Sequence, residues 1–290
     1  MTASVLQWVV TQLSMQRSVA LATVLTTSGS VPGKTGARLA MSSKGHDWVG
    51  TVGGAGLELK VLERCKTVLE QGLQPQAELH TYGLNKGAKG YEVTALDSLC
   101  GGRVTLSIEV MIPMPHVLIM GGGHCGEALS RSLDALSWTY DVHDTRAAFA
   151  SAELYPKALQ RSSNSVADFF SQHDASTLSG YSDVLLLGHD WSEDQERLMT
   201  LLSLMPKGAQ LNGREEPRIG VIGSRSKWQA FAAACHDANI GRELTEQVVC
   251  PIGLNIGAAS PEEIAVAVTA QIMAAHKDVD PIQPSWRESI

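Results

Sequence analysis

Gly121, Gly123 and Gly126 follow the apolar run Val117-Leu118-Ile119-Met120 at G-x-G-x-x-G spacing, and that arrangement can seat a phosphate. One glycine permits the tight turn, one lets backbone approach an anion, and one lets helix and strand pack closely. The helix that starts there offers free N–H groups and the positive end of its dipole. His124 and Cys125 lie inside the turn. The imidazole can donate to a phosphate, and a thiol at a helix N-terminus is expected to lean toward thiolate. Trp138 to His143 reads as a second strand ending in Asp144, about 20 residues on, where dinucleotide sites hold a ribose hydroxyl. Ser224, Arg225 and Lys227 form a small polar turn with two cations between a strand and a helix, an expected second anion pocket. Cys100, before Gly101-Gly102, sits in a turn where bulky neighbours cannot cover its sulfur. Such a thiol can serve as a soft metal ligand or sulfur acceptor. Arg38 adds a planar fork suited to phosphate. Gly54 and Glu58 belong to a further glycine turn leading into a helix.

Each of these residues also has a plainer reading. Cys100 is equally an incidental turn cysteine, Cys125 a packing thiol, His124 a structural histidine and Glu58 an exposed helix glutamate. Asp144 suits a ribose but repels a phosphate, so a dinucleotide and a phosphorylated small molecule both stay open.

The elements that must position these residues read as an α/β chain. Val5, Leu6, Val9, Val10 and Leu13 recur at helical spacing, and a strand follows at Val19 to Leu25. A turn-rich segment, Thr26 to Gly36, delivers Arg38 into the strand Ala37 to Met41, with Trp48 to Val52 as its hairpin partner. Leu57, Val61, Cys65, Val68 and Leu69 share one helical face, with Cys65 a core residue. Leu79 to Val110 is β-structure broken at Asn85-Lys86-Gly87. Met111-Ile112-Pro113-Met114-Pro115 stops pairing and marks a domain boundary. The second half continues with an irregular stretch from Thr145 to Gly180, strands at Asp183 to Leu187 and Arg218 to Ile222, and a capping box from Ser192 to Gln195. Ser260-Pro261-Glu262-Glu263 opens the last helix. The expected domains are 1–112 and 116–276, with a mobile tail over 277–290.

Composition narrows the function. The chain has 290 residues, 44% hydrophobic and 18% charged, with a formal net charge of -7. That describes a folded protein without the clustered Lys and Arg that nucleic acid requires. No run reaches the roughly 18 apolar residues of a membrane span, and no basic leader precedes an apolar core. Five cysteines without framework spacing read as reduced thiols of a cytoplasmic protein. No C-x-x-C, H-E-x-x-H or Walker A pattern occurs, which disfavours zinc hydrolysis and P-loop chemistry.

Taken together, the chain resembles the XdhC/CoxI family, accessory proteins of xanthine dehydrogenase and related molybdenum hydroxylases. The resemblance is carried in the first half by Pro32-Gly33-Lys34-Thr35-Gly36-Ala37-Arg38, Gly50-Thr51-Val52-Gly53-Gly54-Ala55-Gly56-Leu57-Glu58 and Cys100-Gly101-Gly102. In the second half it is carried by Gly121 to Gly126, Asp144-Thr145-Arg146, Ile222 to Lys227, Pro251 to Leu254 and Pro261 to Ala265. Gly188-His189-Asp190-Trp191 departs from the family's Thr-His-Asp-His. The resemblance implies an amino-terminal α+β XdhC/CoxI domain and a carboxyl-terminal Rossmann-like domain with a doubly wound parallel sheet. It also implies binding of molybdenum cofactor (molybdopterin) as cargo, Cys100 as the candidate contact to its molybdenum, sulfuration with a cysteine desulfurase, and delivery to apo xanthine dehydrogenase or a related hydroxylase. The alternatives are an NAD(P)-dependent oxidoreductase and a scaffold that binds no cofactor. No acid and base with stated geometry can be assembled from sequence for the oxidoreductase. A homodimer is the default assembly.

Overall fold

The computed structural model describes residues 2–71, 76–85, 93–96, 101–213 and 215–282. Cys100 lies outside the described residues, as do parts of the expected breaks near Gly72 and Lys86 and of the expected tail, from 283 onward. The chain divides into two compact units, Met1–Pro113 and Met114–Ile290.

In the first unit a helix α1 (Thr2–Ser14) leads into β1 (Val19–Ser28), followed by β2 (Arg38–Ser42), β3 (Trp48–Gly50), α2 (Ala55–Glu70), β4 (Gln76–Gly83), β5 (Val93–Ala95) and β6 (Arg103–Met111). The strands form one sheet in the order β3-β2-β1-β6-β4-β5. β1 runs antiparallel to both β2 and β6, with a bulge between Val24 and Thr26. Alternation along β1 explains why both faces are covered. Val19 and Leu21 join Val5 and Val9 of α1 in one cluster, while Ala20, Ala22 and Val24 join Leu57, Val61, Cys65 and Val68 of α2 in the other. Successive strand side chains point to opposite faces, so an apolar residue at every position calls for a helix on each side.

The second unit holds β7 (His116–Met120), α3 (His124–Ala135), β8 (Thr139–His143), β9 (Arg161–Ser162), α4 (Val166–Ser171), α5 (Ala175–Leu178), β10 (Asp183–Leu186), α6 (Trp191–Leu204), β11 (Arg218–Val221), α7 (Arg225–Asp237), α8 (Arg242–Thr245) and α9 (Pro261–His276). Its sheet has the order β11-β10-β7-β8-β9 and is parallel throughout. Val117 and Ile119 pack with Leu129 and Leu133 of α3 and with Val268 and Ile272 of α9. Leu118 and Met120 pack on the other face with Leu198 and Leu202 of α6, Phe231 of α7 and Phe169 of α4. This is the doubly wound arrangement, buried on both faces.

Two local expectations are corrected. The stretch from Thr145 to Gly180 is not irregular throughout: it contains a 3-10 turn (Ala147–Ala150), β9, α4 and α5. The cap of α6 is Asp190, whose side chain accepts the N–H groups of Ser192 and Glu193. Asp190 holds the extended conformation that a cap requires, with φ -90 and ψ 121, whereas Ser192 already lies within the helix.

Candidate functional site

β7 lies between β8 and β10, so the chain leaves β7 toward one side of the sheet and returns later on the other. A crevice opens at the carboxyl ends of strands where the winding reverses in this way. The glycines at its floor divide by what surrounds them. Gly121 has φ +114, and a Cβ there would fall 2.4 Å from Gly188 N. At Gly122 it would fall 1.8 Å from Phe149 O, and at Gly126 2.5 Å from Gly121 O. These three positions are fixed by packing. At Gly123 nothing lies within 4 Å. Gly123 is also the N-cap of α3 and supplies no side-chain cap, whereas α6, α7 and α9 are capped by Asp190, Ser224 and Ser260. The first-turn N–H groups of α3 therefore receive no side-chain cap, the arrangement that can take an anion.

His124 is exposed beside this opening. Cys125 is half-buried, and burial, followed by the charge of Glu262, pushes its thiol above the ordinary value. The lean toward thiolate expected from the helix dipole is thus reversed.

Asp144 is 2% exposed. Its Oδ2 accepts the Gly122 N–H at 2.9 Å and Arg146 Nη2 at 2.8 Å. Its Oδ1 accepts Arg146 N at 3.0 Å and Nε at 2.9 Å. Burial by itself would raise this carboxyl, but the bonds donated by Arg146 and Gly122 outweigh it and hold the pKa below the usual value. The carboxylate is a brace between the glycine turn and Arg146, with little of it left to meet a ribose. The Arg146 guanidinium lies 4.0 Å over the Phe149 ring, and its side chain is 40% exposed. In the sequence, the mark of Arg146 is its position two residues beyond the strand-end acid, Asp144.

Ser224 caps α7 by accepting Lys227 N at 3.3 Å. Arg225 is exposed at the start of that helix, whereas Lys227 turns inward and is 4% exposed. Its Nζ donates to Asp194 Oδ2 at 2.7 Å and to Ile222 O at 3.1 Å. Asp194, fully buried, also accepts Arg197 Nη1 at 3.0 Å, and Arg197 Nη2 reaches Glu193 at 3.2 Å. The turn therefore presents one outward cation, not the two expected. Beyond β11, Ile222, Ile252, Leu254, Ile264 and Ala267 line much of an apolar pocket of about 370 Å³. Two strand spacings, roughly 10 Å, separate β11 from β7.

In the first unit, Lys34 and Arg38 line a pocket of about 400 Å³ bounded by Val5, Pro32 and Thr51. Gly54 is the N-cap of α2 and supplies no side-chain cap. The Glu58 carboxylate accepts Thr51 Oγ1 and the Val52 N–H, latching the loop ahead of α2. Gly102 is packed tightly: a Cβ there would meet Ser28 O at 2.5 Å. Among the described residues no group of three or more His, Cys, Asp or Glu side chains is placed to hold a metal ion. No helix among them is long and apolar enough to cross a membrane.

Comparison with known proteins bears on this architecture. Residues 117–272 match the XdhC Rossmann domain and residues 13–83 match the XdhC and CoxI family. The uncharacterized protein YqeB of Escherichia coli is 27% identical over 256 residues, covering 88% of this chain and 43% of that protein. A probable xanthine dehydrogenase subunit of Bacillus subtilis is 27% identical over 177 residues, covering 59% of this chain and 46% of that protein. The chain thus spans less than half the length of these curated relatives. A crystal structure described as a xanthine dehydrogenase from Bacillus halodurans aligns over 97% of this chain and 98% of its own, at 17% identity and a TM-score of 0.46. With the Rossmann match alone spanning more than half of its length, the chain belongs to the XdhC/CoxI family.

Proposed function

We propose that this protein is a cytoplasmic accessory factor that binds molybdenum cofactor and assists its sulfuration and insertion into xanthine dehydrogenase or a related molybdenum hydroxylase, with a cysteine desulfurase supplying the sulfur. The observation that carries this reading is the open first turn of α3, where Gly123 has nothing within 4 Å of a Cβ position and no side chain caps the helix. Molybdopterin carries one phosphate monoester on the side chain of its pterin ring system. The phosphate suits the amides of α3, and the apolar pocket beyond β11 suits a heterocycle. Family membership and the xanthine dehydrogenase relative in Bacillus subtilis support the choice of client. Cys100 stays a candidate sulfur contact, and paired subunits are the default assembly.

A second reading, an NAD(P)-dependent oxidoreductase, is favoured by the G-x-G-x-x-G spacing itself. The engagement of Asp144 with Gly122 and Arg146 weighs against a ribose at that position.

The two readings separate when the purified full chain is incubated with cofactor released from a molybdoenzyme and, in parallel, with NADH and NADPH, then desalted and read by absorbance and mass. Retention of molybdopterin by the wild type and its loss in Gly123→Asp are expected. Retention of a nicotinamide alone supports the oxidoreductase, and retention of neither supports a scaffold.

A further inference from the structure

We propose that Arg146 is the specificity-determining residue of the carboxyl-terminal unit and that it takes up a phosphate monoester, so that this site selects a phosphorylated ligand over one ending in a free diol. The inference rests on reading the Gly121 to Gly126 turn as the ligand seat and adds which chemistry the seat selects.

Three observations meet at this residue. First, Arg146 Nη2 and the Gly122 N–H donate to the same Asp144 oxygen, at 2.8 and 2.9 Å. The guanidinium is thereby tied to the glycine turn. Second, the face of the guanidinium rests on Phe149 at 4.0 Å, which fixes its plane without using its donors. Third, Nε and one Nη2 donor are held by Asp144, while the side chain remains 40% exposed and Nη1 has no acceptor among the described residues. A planar, braced guanidinium with outward N–H groups matches the oxygens of a phosphate.

The surrounding charges favour that assignment. Asp144 is the nearest acid, but it is buried behind the guanidinium and accepts four hydrogen bonds. Glu193, the other acid that acts on Arg146, accepts from Arg197 at 3.2 Å and from Thr145 Oγ1 at 2.7 Å. Asp144, the strand-end acid, therefore has no lone pair left to accept a ribose hydroxyl in the way a diol site requires, and Glu193 is turned to Arg197 and Thr145. An acid at the end of the second strand usually argues for a diol, and here the same acid aims a cation instead.

Two sources carry this chemistry, the side-chain phosphate of a pterin and the 2′-phosphate of a dinucleotide. The test measures binding to the full chain by calorimetry for two pairs of probes: an oxidised phosphopterin prepared from molybdopterin against the same pterin after phosphatase, and NADPH against NADH. Wild type is expected to favour the phosphorylated member of a pair by roughly tenfold or more. Arg146→Gln is expected to collapse that preference to about twofold or less, with Arg146→Lys in between. Because both members are measured on one preparation, a partly unfolded variant leaves the ratio interpretable. A preference for NADPH that depends on Arg146, with no pterin bound, keeps the assignment and removes the proposed cargo. Phosphopterin bound with a preference that survives in Arg146→Gln keeps the cargo and overturns the assignment. Neither phosphorylated probe binding better than its counterpart also overturns it.

Discussion

Lys227→Met tests whether the lysine of the Ser224 turn is an anion contact or a buried strut. The substitution keeps the aliphatic stem and removes Nζ, together with its bonds to Asp194 at 2.7 Å and Ile222 O at 3.1 Å. Asp194 is 0% exposed, so water cannot replace the lost donor. Breaking a buried pair from one side costs about 3–5 kcal/mol. Arg197 still donates to Asp194 at 3.0 Å, which places the expected loss near the lower end, about 3 kcal/mol. For a unit of this size that corresponds to a fall in Tm of roughly 6–12 °C. Urea denaturation of the full chain followed by circular dichroism measures the loss. The double variant Asp194→Asn with Lys227→Met should recover at least about 1 kcal/mol relative to the sum of the singles, because it no longer strands a carboxylate. A Lys227→Met protein with unchanged stability and lost ligand retention would refute the strut and restore the anion contact suggested by sequence.

Three further outcomes follow from the same crevice. Burial pulls the imidazole of His143 down to about 4 from an ordinary 6.5. The unfolded chain therefore binds a proton that the folded chain refuses, and stability present above pH 6.5 is lost as pH falls toward 4. The share is about 2–3 kcal/mol, and His143→Gln should flatten the urea midpoint over that window; an unchanged slope refutes it. Gly123→Ala should cost no more than about 1 kcal/mol, since no atom stands near its Cβ. Gly126→Ala, driven into Gly121 O, should cost about 1–3 kcal/mol; the reverse order in denaturation midpoints would sink this division of the glycines. The Cys125 thiol, raised by burial and Glu262, should react slowly with iodoacetamide at neutral pH, with the rate still climbing above pH 9. Rapid alkylation at pH 7 would point to a thiolate after all.

What could be read from sequence was local, and what escaped it was carried by distant partners. Four apolar residues, a glycine turn and leucines at helical spacing announced β7 and α3, because period and turn chemistry act within a dozen residues. The cap of α9 was legible for the same reason, with Ser260 and Glu263 three positions apart. Lys227 is not the outward cation its turn suggests, since its partner, Asp194, lies on another helix and no local pattern marks a long-range ion pair. The elements between Thr145 and Gly180 are too short for periodicity to register, α5 having 4 residues and α4 having 6. Cys125 follows the dipole rule in isolation, but desolvation and an acid from α9 dominate once the chain is folded.

These features make the proposed anion seat compatible with an acidic chain. Each buried acid in the floor has an internal partner: Asp144 has Arg146, and Asp194 has Lys227 and Arg197. Burial enforces that pairing, since an unpaired carboxylate there would cost several kcal/mol. With the buried acids of the floor paired internally, the outward donors are the amides of α3, the exposed edge of Arg146, and His124 and Arg225 at the two helix starts, set beside the outward acids Asp190, Glu193 and Glu262. The net charge of -7 is a property of the whole chain and does not set the local field there. On the proposed reading, recognition depends on a few aimed donors in a crevice, so a composition that argues against nucleic acid is compatible with a single phosphate.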